Sequence, residues 1–563
     1  MRRRRFLRVS GFSAASLLLV GLDSRSGRQG EAIGFPSSIA ILSAGQWISL
    51  QGSRERWIGR ATVLLDHVTS PATAGREEIH VLRVQVNAPG VSLEKIRLDW
   101  NRVFDKNAKY LGDDWERSYG ELEWKGDDPQ RKAPWYLLIQ EGDQTHAVGI
   151  RTGAASIGYW QVSGQQLQLF LDTCSGGEGV RLGDRTLAAA EIVTTENLPG
   201  ETPFQTDTRF CRILCNKPIL PAQPVYGIND WYFAYGKNSR DLILQSTAAM
   251  SELATDSSNR PFSVIDEGWA LPSARGSDEY CWGDDYSRSN AKFGDMSSVA
   301  AEIRRLGMRP GLWTRPLLAN KDDDPARLIP IRPDQKDTKE RFLDPTLPQN
   351  LQRIGDIIRL YKRWGYEMIK HDYSTYDLFG RWGFQMDKEM TPPGWHFNDR
   401  SRTNAEIILR LYRTIREAAG NMYLIGCNTV SHLSAGIFEL NRTGDDTSGR
   451  EWARTLKMGV NTLGFRLPQH NAFYSADGDC VGLTTQIPWQ KNRQWLQLLT
   501  ESSAPLFISA QPEAMGPEQK AYVKECFRLA ARPQPLGTPL DWLTNPRPAR
   551  WNLNEREVDF DWA

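Results

Sequence analysis

Hydrophobic and polar positions change rhythm partway along this chain. From about residue 31 to residue 220, short runs alternate apolar and polar residues between Gly- or Asp-rich turns. Examples are EEIHVLRVQVNAPG (77–90), PWYLLIQEGDQ (134–144), HAVGIRTGAASIGYWQV (146–162) and QLQLFLDTCSGG (166–177). A period of two marks strands with one buried face, and a long succession of them predicts a β-sandwich. After Pro221-Ala222-Gln223-Pro224, strand-like runs alternate with amphipathic helical ones. Strands are predicted at 224–230, 262–269, 309–316, 366–372, 422–428, 436–446, 462–468 and 504–510. Helices are predicted at 240–254, 298–307, 351–365, 404–420, 490–503 and 517–531. Eight strands with interleaved helices predict a (β/α)8 barrel, a TIM barrel. Two packed Rossmann-like halves are the alternative, but no Gly-rich phosphate loop follows any strand. The expected division is a multidomain β plus α/β chain: a β-sandwich over 31–220, a catalytic barrel over 221–535 and a short C-terminal extension over 536–563.

Residues 1–30 are set apart as a targeting segment. MRRRRFLRVSGFSAASLLLVGL (1–22) has a basic head followed by an uncharged stretch shorter than a membrane span needs. Arg3-Arg4-Arg5-Phe6-Leu7-Arg8 is similar to a twin-arginine export signal, which predicts a periplasmic or secreted protein with no membrane span once the signal is removed. An uncleaved anchor is the alternative. The export signal also changes the charge picture. The whole chain has 69 Lys+Arg against 68 Asp+Glu, a formal net charge of +1, which argues against nucleic acid as a partner. Residues 1–24 carry five Arg and one Asp, a net of +4, so the remainder is at 1 − 4 = −3.

Seven scattered cysteines without a CxxC pair give neither a zinc framework nor a dense disulfide scaffold. A protein exported folded must fold with reduced thiols; Cys211 and Cys215 are still near enough in sequence to pair. The 20 Trp are the unusual entry in the composition. Trp belongs in cores, or where a flat apolar face meets a ligand, and the C–H faces of sugar rings are such ligands.

The predicted strand ends gather chemistry. They read Asn229-Asp230-Trp231, Asp266-Glu267-Gly268-Trp269, Trp313-Thr314-Arg315, Lys370-His371-Asp372-Tyr373, Cys427-Asn428 and Arg442-Thr443-Gly444-Asp445-Asp446. In a barrel of this kind the C-terminal strand ends form the active face. One such Asp is ordinarily a turn or helix cap; carboxylates, bases and Trp from six strands make a site. Two facing carboxylates are what glycosidic cleavage requires, one at the anomeric carbon and one protonating the leaving oxygen. GxSxG is absent, and the seven histidines show no metal spacing, so neither a cofactor nor a metal is expected. His371 flanks Asp372 but points to the other side of its strand, which predicts a structural role.

The motifs YGINDW (226–231), VIDEGW (264–269), GMRPGLWTRP (307–316), IKHDY (369–373), GCN (426–428) and RTGDD (442–446) together resemble the clan D glycoside hydrolases, the α-galactosidases of families 27 and 36. The resemblance implies a catalytic barrel preceded by a β-sandwich and a retaining mechanism through a covalent glycosyl intermediate. It implies Asp372 as nucleophile, with Lys370 binding a sugar hydroxyl and keeping Asp372 ionised. It implies an acid/base four residues after Arg442, at Asp446, with Asp445 as the alternative; the acid's pKa should be raised. Asp266 would grip two sugar hydroxyls, and Trp231, Trp269 and Trp313 would stack on the ring. Cys427 and Arg442 complete the expected binding residues. The implied substrate is an oligosaccharide or glycan ending in α-linked galactose. Related specificities are α-N-acetylgalactosaminidase, β-L-arabinopyranosidase and transglycosidase, and a non-catalytic carbohydrate-binding barrel is the non-enzymatic alternative. Asn428-Thr429-Val430 departs from the Gly-rich run that many family 36 enzymes carry after the cysteine. The insertion 379–399, with Trp382 and Trp395, is expected to form a lid or a subsite wall.

Overall fold

The computed structural model describes residues 34–70, 79–163, 165–256, 258–272, 283–320 and 322–563. The predicted export signal and Cys281 lie outside the described residues. Beside a small three-stranded sheet of Cys174–Ser175, Glu178–Arg181 and Ser92–Leu93, the amino-terminal part is built on two large antiparallel sheets. One runs in the order Ala133–Pro134, Ile157–Ser163, Gln166–Asp172, Lys95–Asn101, Ser38–Ser43, Gln46–Ser49. The other runs Gln51–Ser53, Arg56–Ile58, Thr62–Ser70, Ile79–Asn87, Leu187–Glu196, Gln144–Ile150, Tyr136–Glu141, Lys109–Gly112. Alternation does the folding here: in Ile79–Asn87, Val84 and Val86 are buried while Arg83 and Gln85 face water. Ile96, Leu98, Leu169 and Leu171 from the first sheet share one core with Val63, Leu65, Val84 and Ile192 from the second. Each such side chain contributes roughly 1.5–3 kcal/mol of burial.

The β pattern does not extend to residue 220. Pro203–Leu214 is a helix, started by a capping box in which Thr202 and Gln205 satisfy each other's backbone N–H, with Pro203 in the first turn. Its buried face (Phe204, Phe210, Cys211 and Leu214) joins the larger core.

The second part is a curled parallel sheet with helices between its strands. In chain order the strands are Tyr226–Asn229, Phe262–Ile265, Arg309–Thr314, Met368–His371, Tyr423–Gly426 and Leu440–Arg442, then Ser475–Asp477 with Cys480–Leu483, and Leu506–Ala510. The helices fall close to prediction: Arg240–Ser251, Met296–Arg305, Pro348–Trp364, Asn404–Ala419, Trp489–Glu501 and Pro517–Ala530. The predicted seventh strand, 462–468, is corrected. Thr462–Arg466 is helical and continues from Trp452–Thr455 through a π-helical turn at Leu456–Asn461. The strand in that place is the run 475–483, which Gly478-Asp479 interrupts; Asp479 has φ 72°. Its first half pairs in parallel with Leu440–Arg442 and its second half with Leu506–Ala510. The two ends of the hydrogen-bonded sheet are therefore consecutive pieces of one run.

Residues 536–563 contain a small antiparallel sheet, Thr538–Pro539, Arg550–Leu553 and Arg556–Asp559, sealed by the buried Trp551. The described cysteines, among them Cys211 and Cys215, are all free thiols. No described helix is long and apolar enough to cross a membrane.

Candidate active site

Because the strands are parallel, their C-terminal ends open on one face. Period-two geometry then sorts the fourth strand. Lys370 and Asp372 share one face, and His371 faces the other way, edge-on to Tyr412 at 5.7 Å and against Phe438 at 5.6 Å. Burial lowers the His371 pKa to about 4, so the ring is neutral and structural.

Asp372 is held by three donors. Its Oδ1 accepts from the backbone N–H of Tyr373 at 2.7 Å and of Asn428 at 3.0 Å, and its Oδ2 from Trp313 Nε1 at 3.1 Å. Tyr373 adopts φ 65°, a left-handed conformation unusual outside glycine, and this lets its N–H fold back onto the preceding carboxylate. Asp372 is mostly buried but not sealed, at 8% exposure.

Beside it lies a second cluster. Asp266 Oδ2 takes Lys370 Nζ at 2.7 Å and Asn229 Nδ2 at 2.7 Å, while Oδ1 takes the Glu267 N–H at 2.9 Å. Burial works against the Lys370 charge, but Asp266 together with Cys427 and Asp446 outweighs it and holds the ammonium above the usual lysine range. In the ligand-free site the ion pair of Lys370 is thus with Asp266. Asp230 supports this cluster from behind, accepting from the Asp266 N–H at 2.7 Å and from Asn238 Nδ2 at 2.7 Å. Burial and the neighbouring Asp266 charge raise its pKa to about 7.

The opposite wall comes from the sixth strand. Arg442 lies 2.8 Å from Asp479 and 3.4 Å from Asp446, and its Nη1 is 3.5 Å from the Cys427 sulfur. Asp479 is the left-handed residue in the interrupted seventh strand, so that irregularity supplies the counter-ion for Arg442. The two candidate acids differ in their freedom. Asp445 has both oxygens tied, to Arg117 at 2.6 Å and Arg454 at 2.7 Å. Asp446 makes longer contacts, and its side chain is 34% exposed. Burial pushes the Asp446 pKa up, but Arg442, Arg117, Lys370 and Arg454 outweigh it and bring it down to about 2. The expectation of a raised pKa is therefore corrected for the ligand-free site.

Two of the three predicted stacking residues are also corrected. Trp269 is fully buried; its Nε1 donates to the Trp313 carbonyl at 3.0 Å, and its ring packs edge-on to Tyr361 and Trp364. It is core behind the site because its neighbours leave no open ring face. Trp313 is 2% exposed and offers Asp372 its N–H in place of a flat face. Trp231 alone of the three is half-buried at the mouth, tilted against Tyr235 at 5.7 Å.

The sequence reading missed a segment of the amino-terminal part, Asp113–Gly120. Ser118 pairs with Gly444 as an added piece of strand: its N–H donates to the Thr443 carbonyl at 2.9 Å, and its carbonyl accepts from the Asp445 N–H at 2.8 Å. Gly444 is required there because a Cβ would run into the Met458 carbonyl. Arg117 enters the site on this strand, with Nη1 3.3 Å from the Cys427 sulfur and 3.7 Å from Asp446. Glu116 is fully buried and accepts from the Gly383 N–H at 2.8 Å, from Tyr119 Oη and from Asn428 Nδ2. Burial raises its pKa to about 7 against the pull of Arg117 and these donors. The available signal was the density of DDWERSYG in charged and aromatic residues within a β-rich region.

The insertion splits into two roles. Trp382 stacks on Tyr376 near the site, with ring centroids 4.6 Å apart. Trp395 is buried, and its ring packs against Gly176 of the amino-terminal part, which fixes the insertion in place. No cluster of three or more His, Cys, Asp or Glu side chains able to hold a metal occurs among the described residues.

Comparison with known proteins identifies the class of fold. No protein-family model matches the chain. An α-galactosidase of Escherichia coli is 28% identical over 169 residues, which are 29% of this chain and 22% of that protein, so the match spans less than a quarter of that relative. Among solved structures, the α-galactosidase TtGalA of Thermus thermophilus, in complex with p-nitrophenyl α-D-galactopyranoside, superposes with a TM-score of 0.58 at 17% identity. That match covers 88% of this chain and 99% of that one. A variant of the family 36 α-galactosidase AgaA from Geobacillus stearothermophilus, in complex with 1-deoxygalactonojirimycin, gives a TM-score of 0.57 at 11% identity over 88% of this chain and 75% of that one. The fold is that of the clan D α-galactosidases, a barrel sheet joined to antiparallel sheet domains.

Proposed function

We propose that this chain is a retaining, exo-acting α-glycoside hydrolase, and specifically an α-galactosidase built as a (β/α)8 barrel behind a β-sandwich. The observation that carries the reading is the pairing of Asp372, held by three donors, with the less restrained Asp446. In the first step Asp372 attacks the anomeric carbon and forms a glycosyl ester, while Asp446 gives its proton to the departing oxygen. In the second, Asp446 takes a proton from water, whose oxygen attacks the same carbon and releases Asp372. Asp266 and Lys370 would bind hydroxyls of the terminal galactose, and Trp231 would stack on its ring. Cys427 and Arg442 line the floor.

Asp446 is preferred over Asp445 as the acid/base because two short ion pairs occupy Asp445. With Asp446 ionised in the ligand-free site, substrate has to bring it into the acid form by loosening its contacts with Arg117 and Arg442. Solved relatives in complex with stachyose and with raffinose lend support to an oligosaccharide substrate. Export through the twin-arginine route belongs to the same proposal, and the free thiols of the described residues suit folding before export. The test is hydrolysis of an aryl α-galactoside by wild type, Asp372→Asn and Asp446→Asn. Turnover by wild type and its loss in both variants is expected. A wild type inert on a broad panel of aryl glycosides would leave the carbohydrate-binding alternative.

A further inference from the structure

Arg315 follows the third strand of the parallel sheet, among the residues of the mouth, yet the reaction as described gives it no part. It is 2% exposed, so its contacts are with protein. Its Nε lies 3.2 and 3.1 Å from the two oxygens of Asp377, its Nη2 2.7 Å from Asp377 Oδ1, and its Nη1 2.7 Å from Glu340. Two carboxylates thereby fix the guanidinium. It lies over the Tyr373 ring, 4.2 Å from the centroid, and Tyr373 is the residue that follows Asp372.

Tyr373 needs holding. Its φ of 65° is in the left-handed region, where a residue with a Cβ is strained and stays only if its surroundings over-determine it. The helix Ser374–Phe379 that comes next has six residues, too few to keep its own shape. Its shape is imposed at both ends. Asp377, locked on Arg315, donates its N–H to the Tyr373 carbonyl at 2.8 Å. Arg332, also 2% exposed, donates from Nη1 to the Asp377 carbonyl at 3.0 Å, and its guanidinium lies against the rings of Phe342 and Trp395. What this bracing delivers is one hydrogen bond, from the Tyr373 N–H to Asp372 Oδ1 at 2.7 Å.

We infer that Arg315 is a positioning residue for Asp372: through the Tyr373 ring and Asp377 it holds the strained backbone that keeps the Tyr373 N–H on that carboxylate. The inference rests on the reading of Asp372 as the nucleophile. With the N–H groups of Tyr373 and Asn428 both on Oδ1, the carboxylate is kept from turning and Oδ2 keeps its aim; with one of them gone, it turns. The competing account is a charge acting on Asp372 through space, and glycine separates the two. Glycine takes a φ of this kind without strain, so at position 373 it has no need of the clamp.

The test is a double-mutant cycle read by turnover of an aryl α-galactoside, with galactose affinity measured by calorimetry. Arg315→Met should lower kcat about thirtyfold while galactose binds within about twofold of wild type, because Arg315 does not touch the sugar. Arg315→Lys, which keeps the charge but loses the fork on Asp377, should fall in between. In a Tyr373→Gly background, itself slower than wild type, Arg315→Met should cost less than about threefold. Should Arg315→Met fail to fold, Asp377→Asn serves instead: it keeps the side-chain shape, and its loss of about tenfold should likewise shrink in the glycine background. An equal cost in both backgrounds would overturn the inference, as would a fall in galactose affinity matching the fall in kcat. A wild type inert on aryl α-galactosides removes the glycosidase reading and this inference with it, whereas turnover that Arg315→Met leaves intact removes this inference alone.

Discussion

Arg117 Nη1 lies 3.7 Å from Asp446 Oδ1, although the two residues belong to different parts of the chain. That guanidinium is one of several charges facing the carboxylate, with Arg442, Lys370, Arg454 and the neighbouring Asp445; Tyr232, Tyr235 and Tyr373 also face it. Their net effect holds the free Asp446 pKa at about 2.

A general acid with a depressed pKa is protonated in the free enzyme only at low pH, so kcat/KM should fall as pH rises out of the acidic range. Removing a positive charge at this distance raises the pKa. Arg117→Gln should therefore move the alkaline limb of kcat/KM upward by about one unit. The measurement is a pH profile on a substrate with a poor leaving group, where acid assistance matters most. An unmoved limb with unchanged rates would remove Arg117 from the mechanism.

Asp372→Asn should lower kcat by about 10⁴-fold with little change in the melting curve, since an amide keeps the shape of the carboxylate. Asp372→Gly should recover turnover when azide is added, because azide enters from the vacated side. The product then has to be the β-glycosyl azide; an α-azide would contradict the assignment of Asp372 as nucleophile.

Trp313→Phe removes the N–H on Asp372 Oδ2 and leaves the two backbone donors in place. The expected result is a fall in kcat of about ten- to a hundredfold with KM nearly unchanged. A stacking role for Trp313 predicts instead that KM rises and kcat holds. Steady-state kinetics on one aryl α-galactoside separates the two.

Glu116 links folding to pH. Its pKa is raised by burial to about 7 in the fold, from an ordinary 4.5. A raised carboxyl pKa stabilises fully below the unfolded value and loses that contribution as pH rises through the folded one. Thermal stability should thus decline between about pH 5 and pH 8 by an amount on the order of 3 kcal/mol from this group alone. Glu116→Gln should flatten that decline, which melting curves across the pH range would show. A slope identical in the variant would mean that other buried acids, such as Asp230, carry it.

The sequence made some of this legible and hid the rest for physical reasons. Helices such as Pro348–Trp364 and Asn404–Ala419 announce themselves through an apolar stripe and, for the second, a Thr403–Glu406 capping box. Strand ends such as Lys370-His371-Asp372 are readable because side chains alternate across a strand. The run 462–468 misleads, because its Leu-Gly-Phe-Arg-Leu alternation also fits a helix whose Thr462 hydroxyl bonds back to Met458. Trp269 reads like a sugar platform until its packing partners, nearly a hundred residues away in the helix Pro348–Trp364, are known. Arg117 meets Cys427 across 310 residues of sequence, and no local pattern encodes such a meeting.

The central claim is a retaining displacement at an α-linked galactose, and the anomer released first tests it most directly. Proton NMR of an aryl α-galactoside during the first minutes of hydrolysis should show α-galactose appearing first, with the β-anomer growing only as mutarotation proceeds. Initial release of β-galactose would contradict the double displacement through Asp372, and with it the assignment of roles to the two carboxylates.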